Sequence, residues 1–497
     1  MLTFLRHPTF QLIFTAALGA LSVFGFAPYY IYPTPILALA GLFYFWRDAE
    51  TQKHAMQLGF AFGMGLFGAG VSWIYVSLHD FGGMPSAAAI FATAAFFAFI
   101  SLLPMSAGWA LKRYFPHAPL LAAPLLWVGQ EWVRGWIFTG FPWLTMGYSQ
   151  VPYSPLAGFA PVLGVFGVSL LTAIAAAIVA GALHGRLARK QWAFALLGLW
   201  ITGAALKHVE WSHPVGTPLT FSLLQGNISQ DLKWREDEVV RTFQTYRDMA
   251  LTSHAQLIVM PEMALPILMD EVPRDYLDKL AQHAKAQGGD ILIGVPEAKR
   301  QDGETLYYNT MLSYGTAPTQ AYRKFHLVPF GEFIPFKPVF GWIYRNLLHI
   351  PLADLASGDK YQQPMALSGQ KIAMNICYED VFGEEIIRQL PAATLLINVS
   401  NDAWYGESLA ADQHMQMSMT RALETARMVL RATNTGATAV INREGRVIAH
   451  APHFKQLSLD GAAQGYAGTT PYVLWGNVPA IALIFLGLGV LWVRKKK

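Results

Sequence analysis

The chain has 497 residues, of which 53% are hydrophobic and only 14% charged, with a formal net charge of +4. Soluble globular chains carry about 25% charged residues, so much of this one belongs in lipid. The small net charge and the placement of the basic residues speak for membrane topology, not for nucleic acid. Neither zinc-ligand spacing nor a phosphate-cradling Gly–Lys loop is present, so no metal and no cofactor are expected.

Pro8 to Trp46 holds no charged residue and is broken at Ala27-Pro28 and at Tyr32-Pro33-Thr34-Pro35. It reads as two short spans joined by a tight turn. Further uncharged runs cover Ala55–His79, Phe81–Leu111, Tyr114–Gln130 and Gly135–Gly185. The last contains a loop, Gly140–Pro161, and then a span near Val162–Leu183. Trp192–Leu206 is a seventh span, and Tyr472–Val493, followed by Arg494 to Lys497, an eighth. Runs of about 20 apolar residues are what a bilayer crossing needs. With the N-terminus in the cytoplasm, the inside loops carry twelve basic residues and the short outside loops only Arg134 and Lys207. By the positive-inside rule this puts both termini inside and the region after span seven outside. The expected division is a seven-span membrane domain over 1–213, an extracytoplasmic domain over 214–470, and an eighth helix with a basic tail over 471–497.

Charges return after about Pro214, and the sequence reads as a layered α/β domain. Strands are expected at Phe221–Gln225, Leu257–Met260, Ile291–Val295, Tyr308–Tyr314, Lys371–Cys377, Thr394–Asn398 and Ala437–Asn442. Helices are expected at Glu236–Leu251, Tyr276–Ala286 and Gln413–Leu430.

Cys377 is the only cysteine in the chain. It ends the apolar run K-I-A-M-N-I-C and is followed by Tyr378, Glu379 and Asp380. A lone cysteine is either a small buried hydrophobe or a reactive thiol. Outside the cell, where disulfides are the usual fate, an unpaired thiol points to chemistry. Glu262, in L-I-V-M-P-E, and Lys324, in A-Y-R-K-F-H-L-V-P-F-G-E, also close runs that read as buried. The three are 62 and 53 residues apart, so only the fold can bring them together. Taken singly, Glu262 reads equally as a helix cap and Lys324 as a surface lysine.

The order Glu, Lys, Cys, with P-E after a strand, H-L-V-P-F-G-E, N-I-C-Y-E-D and N-D-A-W-Y-G at Asn401–Gly406, resembles the carbon–nitrogen hydrolase (nitrilase) superfamily. The segments G-V-S-W-I-Y-V-S-L-H (Gly70–His79), F-T-G-F-P-W-L-T-M-G-Y-S-Q (Phe138–Gln150), L-L-Q-G-N-I-S-Q-D-L-K-W (Leu223–Trp234) and T-P-Y-V-L-W-G-N (Thr470–Asn477) resemble the bacterial apolipoprotein N-acyltransferase family. The resemblance implies a four-layer αββα domain on an eight-span α-helical body in the bacterial inner membrane, with the domain in the periplasm. It implies a ping-pong reaction: a phospholipid acylates Cys377, and the thioester passes its chain to the α-amino group of a diacylglyceryl-cysteine at an apolipoprotein's N-terminus. Glu262 is then the general base, Lys324 with the Tyr378 N–H the oxyanion partner, and Glu332 the carboxylate that orients them. Tyr378 and Glu379 line the site, and Asn309 supports it. His326 and His414 read as structural. A monomer is expected.

The segments after the catalytic positions are apolar for an outside domain: Met263 to Met269 after Glu262, and Phe333 to Leu355 after Glu332. With Trp234, Trp342, Tyr344 and Leu347 they are expected to contact the acyl chains. Packing beneath one another or on the membrane body is the plain alternative. A membrane-anchored amidase of the same superfamily is the second functional reading, and a non-catalytic scaffold or transporter the third.

Overall fold

The computed structural model describes residues 7–185, 189–230, 235–336, 338 and 354–495. They form two compact units, one of residues 1–75, 86–210 and 474–497, the other of residues 76–85 and 211–473.

The first unit is helical, with Pro8–Leu21, Pro33–Asp48, Gln52–Gly70, Ser86–Tyr114, Pro119–Arg134, Ala160–Leu183, Arg189–Leu206 and Val478–Arg494 as its long helices among the described residues. By length and composition three stretches suffice to cross a membrane: Pro8–Gly25, Ser86–Tyr114 and Pro155–Leu183. A fourth joins them if Gln52–Gly70 and Ile74–Phe81 form one bent span, and Val478–Arg494 is apolar but shorter. Small residues let these helices touch. A Cβ on Gly65 would stand 1.8 Å from the Ala16 carbonyl oxygen, so no larger residue fits there. Glu131, fully buried, accepts from the Trp127 indole and the Met146 N–H, both at 3.0 Å, and from the Ser169 hydroxyl. Arg134 donates to the carbonyls of Phe141 and Trp143. Glu131 and Arg134 thus both bind the uncharged segment that follows, whose backbone needs such partners in an apolar setting.

The second unit is a sandwich of two six-stranded sheets. Its strands are β1 Ser212–Gln225, β2 Leu257–Val259, β3 Asp290–Gln301, β4 Glu304–Gly315, β5 Ala321–Arg323, β6 Met365–Leu367, β7 Gln370–Ile376, β8 Leu395–Ser400, β9 Val429–Thr433, β10 Ala439–Ile441, β11 Val447–His450 and β12 Leu457–Gly468. The sheet orders are β12-β1-β2-β3-β4-β5 and β11-β10-β9-β8-β7-β6. β1, β2 and β3 run parallel, as do β7, β8 and β9, and the outer pairings are antiparallel. Period-2 side chains explain the layering. Phe221, Leu223, Leu257 and Val259 of one sheet meet Ile372, Met374, Ile376, Leu395, Ile397 and Leu430 of the other in one core. Each such side chain contributes about 1.5–3 kcal/mol by leaving water. On the far face of the first sheet, Ile258, Ile291 and Ile293 pack against Tyr246, Tyr276, Leu277 and Leu280 of the helices Glu236–Thr252 and Arg274–Ala286. The helix Ala410–Thr425 contacts β9 and β10 of the second sheet, so layers run helix, sheet, sheet, helix.

Two expectations change. The helix foreseen to Leu430 stops at Thr425, where Ala426 takes a left-handed φ of 51°, and the apolar run beyond it is β9. Buried strand and buried helix look alike in so short a run. Met263 to Met269 is in large part packed within the domain. Ala264 and Leu265 are buried in the core beneath the outer helices, with Ile267 and Met269 packed on it. The hydrophobicity of Ala264 and Leu265 is spent inside the domain, while Met263, Ile267, Leu268 and Met269 stay half-buried.

Candidate active site

The parallel strands end on one side of the sandwich, and the candidate residues follow those ends, as ligand sites in α/β sheets do. Glu262 comes three residues after β2, Cys377 directly after β7 and Asn401 directly after β8. Lys324 follows β5, and its N–H continues the β4–β5 ladder by donating to the Asn309 carbonyl at 2.9 Å. Glu262 rests on Gly294 of β3: a Cβ there would lie 2.2 Å from the Pro261 carbonyl oxygen and 2.8 Å from the Met263 nitrogen.

Lys324, 1% exposed, sits between two carboxylates, at 3.2 Å from Glu262 Oε1 and 2.9 Å from Glu332 Oε1. Asn309 Nδ2 donates to the same two oxygens, at 2.7 and 3.1 Å. The Asn401 N–H donates to the other Glu262 oxygen at 2.9 Å, and the Val328 N–H to the other Glu332 oxygen at 2.8 Å. Each carboxylate is therefore held at both oxygens. Burial alone would lower the Lys324 ammonium, but Glu262, Glu332 and Cys377 together hold it well above the usual lysine range. Burial pushes the Cys377 thiol well up, Glu262 pushes it further, and Lys324 offsets only part. With two carboxylates against one ammonium, a thiolate would add a second net negative charge in a dry pocket.

Cys377 takes φ 53°, a left-handed backbone that a non-glycine residue adopts only under constraint. The constraint is visible. Its carbonyl oxygen lies 3.1 Å from His414 Nε2 and accepts from Asn398 Nδ2 at 3.3 Å. Glu379 staples the turns that carry Cys377 and Lys324. It accepts the Ile376 N–H at 2.7 Å, just before the thiol, and the Phe325 N–H at 2.7 Å, just after Lys324. The Tyr322 hydroxyl reaches both its oxygens at 3.1 Å. Burial pushes the Glu379 carboxyl up to about 7, against the N–H groups of Ile376 and Phe325. Tyr378 stacks edge-on with His326 and Phe382, and His326 lies 3.2 Å from Glu385, so both close the wall beside the thiol.

Beneath the thiol lies a polar layer that the sequence reading did not single out. Ser400 is in hydrogen-bond contact with Cys377 and donates to Asp402 at 2.8 Å. Arg431, fully buried, bridges Asp402 at 3.1 Å and Asp380 at 3.5 Å. Burial works against ionising Asp402, but Arg431 and His414 hold it well below the carboxylate range. The phenol of Tyr405 is pushed well up by burial and by Cys377 and Asp402, which places it at the edge of the site. Asn401, Asp402 and Tyr405 had a signal in the N-D-A-W-Y-G segment. Ser400 and Arg431 had none, since each is one polar residue in a strand. Trp234, Trp342, Tyr344 and Leu347, expected to meet the acyl chains, lie outside the described residues. Of that apolar segment Phe336 is described, and it is 64% exposed.

Residues 18–178 match the family model of the apolipoprotein N-acyltransferase N-terminal domain, and residues 220–471 that of carbon–nitrogen hydrolases. The chain is 52% identical over 481 residues to an apolipoprotein N-acyltransferase of Nitrosomonas europaea, covering 96% of each chain. It is 42% identical to the enzyme of that name from Methylococcus capsulatus, over 96% of this chain and 95% of the other. The corresponding values for Chromobacterium violaceum are 40%, 97% and 95%. With both family models matched in order and relatives this similar over nearly the whole chain, the chain belongs to the apolipoprotein N-acyltransferase family.

Proposed function

We propose that this membrane protein transfers an acyl chain from a phospholipid, through a thioester on Cys377, to the α-amino group of the N-terminal diacylglyceryl-cysteine of apolipoproteins. The observation that carries the reading is the convergence of Glu262 and Lys324 on the chain's only thiol. Because burial and Glu262 keep that thiol protonated, the attack needs a base in the same step. Glu262 takes the Sγ proton as sulfur closes on the ester carbonyl. Lys324 and the Tyr378 N–H meet the oxyanion as it forms. The proton on Glu262 passes to the departing alkoxide, which leaves as lysophospholipid. In the second half Glu262 takes a proton from the incoming amine, nitrogen displaces sulfur, and the proton returns to Sγ as the thiol is restored. Asn309, Asn401 and Glu332 keep both charged groups oriented throughout. Water must be kept out while the thioester waits, or the enzyme becomes a hydrolase.

The same reading places the protein in the bacterial inner membrane with eight spans, the nitrilase-like domain in the periplasm and both termini in the cytoplasm. The twelve-to-two bias of basic residues supports it. The test is intact-protein mass spectrometry after incubation with phospholipid. The wild type should gain one acyl chain and lose it on addition of a diacylated lipopeptide, and Cys377→Ser should gain none. An adduct on Cys377→Ser, or one the lipopeptide does not clear, overturns the transferase. An adduct that water clears as fast as the lipopeptide does would favour the membrane-anchored amidase.

A further inference from the structure

In the nitrilase-like domain, three metal-ligating side chains that the proposed reaction does not use face one another. Asp412 lies in the first turn of the helix Ala410–Thr425. His450 ends β11, and His453 follows in the turn H-A-P-H. One potential donor atom from each lies within 4.8 Å of the other two. His453 Nε2 is 3.6 Å from Asp412 Oδ1, and the two imidazole centroids are 5.2 Å apart.

We infer that Asp412, His450 and His453 bind a first-row divalent cation, with zinc the best fit, and that the ion fastens the 450–454 turn to the start of the helix that carries His414. Zinc holds imidazole nitrogen and carboxylate oxygen at about 2.0–2.2 Å, so tetrahedral donors stand roughly 3.3 Å apart. The Asp412–His453 pair is already near that spacing. His450 is exposed, and its ring lies against that of His453. Two imidazoles with one carboxylate suit zinc, cobalt or nickel, whereas calcium and magnesium call for oxygen donors.

The backbone that presents the ligands is fixed before any ion arrives. The Ala451 N–H donates to the Thr438 carbonyl at 2.9 Å and the Phe454 N–H to the Thr435 carbonyl at 3.0 Å. Gln225 Nε2 donates to the carbonyls of Pro452 and Lys455, each at 2.8 Å. Sites on such pinned elements lose little freedom on binding. Three protein donors leave the fourth corner to water, so the ion should exchange and be removable by chelation.

The test uses the full-length protein in detergent, without a histidine tag and stripped of metal. Titrated with cobalt(II), it should bind one equivalent with visible ligand-field absorption, which zinc then abolishes by displacement. Zinc at about a hundredfold excess over its Kd should raise the thermal midpoint by on the order of 5 °C. His450→Ala, at an exposed position, should keep the fold and weaken cobalt binding at least tenfold. Cys377→Ser should leave it unchanged. Absence of a stoichiometric cobalt band, equal binding by His450→Ala, or loss of the band in Cys377→Ser would each overturn the site.

Discussion

Replacing Glu262 by glutamine separates two things the carboxylate does, because it removes both a base and a negative charge. As the proposed base, Glu262 should be worth about 10²–10⁴-fold in rate, or roughly 3–5 kcal/mol of barrier. As a charge, it is one of the three causes, with burial and Asp402, that hold the thiol up. The amide also fits less well. Asn309 and Lys324 both donate to Oε1, which a glutamine oxygen can replace, but Oε2 receives the Asn401 N–H. An NH2 group there meets a donor with a donor. Leaving that buried N–H without an acceptor costs about 1–3 kcal/mol, which at about 2–4 °C per kcal/mol is a modest loss of thermal midpoint. The chemistry should then split. Single-turnover acylation by phospholipid, followed by intact mass, should fall about 10²–10⁴-fold. Alkylation by iodoacetamide, which reports on one thiol alone because the chain has one cysteine, should move the other way. Its pH profile should shift to lower pH, since the thiolate loses a negative neighbour. Unchanged acylation would refute the base. An alkylation profile that stays put or moves up would refute the claim that Glu262 disfavours the resting thiolate.

Two further substitutions probe how the site is held. Gly294→Ala drives a methyl group against the Pro261 carbonyl and the Met263 nitrogen on either side of Glu262. A displacement of about 1 Å costs on the order of a hundredfold, so acyl-enzyme formation should fall by that order while circular dichroism stays native; full activity would show that the Glu262 turn is not set by β3. Glu379→Gln tests a pH dependence. Its carboxyl is pushed up to about 7 in the fold, above about 4.3 for an unfolded glutamate. A raised acid contributes stability that is complete below the unfolded value and is lost as pH rises through the folded one. The wild type should therefore lose on the order of 3 kcal/mol between about pH 4.3 and above pH 7, relative to Glu379→Gln. Thermal unfolding of the pair across that window measures it, and a pH-independent difference would refute the assignment to Glu379.

What was legible in the sequence is what a local run can encode. Buried strands that stop at a charged or reactive residue marked Glu262, Lys324 and Cys377, because a polar group at the end of an apolar run needs a partner from elsewhere in the fold. Charge asymmetry along the uncharged runs marked the helices of the first unit. The strand β12 was not legible: L-S-L-D-G-A-A-Q-G-Y-A-G has too few branched or aromatic residues to look like one, and it exists because β1 offers it an edge. Segment 76–85 groups with the nitrilase-like unit, where the Ser77 hydroxyl donates to the Trp404 carbonyl at 2.7 Å and Phe81 meets the Trp404 ring edge-on. No local pattern could have announced a contact over so large a separation.

The polar layer under Cys377 marks the same limit in a more consequential place. Arg431 alternates with apolar neighbours in β9, so by periodicity alone it reads as a solvent-facing residue of a half-buried strand. In the fold it is wholly buried between Asp402 and Asp380, and Asp402 in turn meets Ser400 and His414, both of which touch Cys377. A buried ion network of this kind is weak evidence for stability, because desolvation offsets most of its attraction. Its retention is better explained by what it fixes. The left-handed turn at Cys377 has no glycine to relax it, and its carbonyl is met by His414 and Asn398, two members of that layer. The turn that lifts the thiol out of the sheet is thus held by His414 and Asn398, which Asp402 and Arg431 hold in their turn. A motif therefore marks candidate residues, while the residues that hold them in place become visible only once the strands are paired.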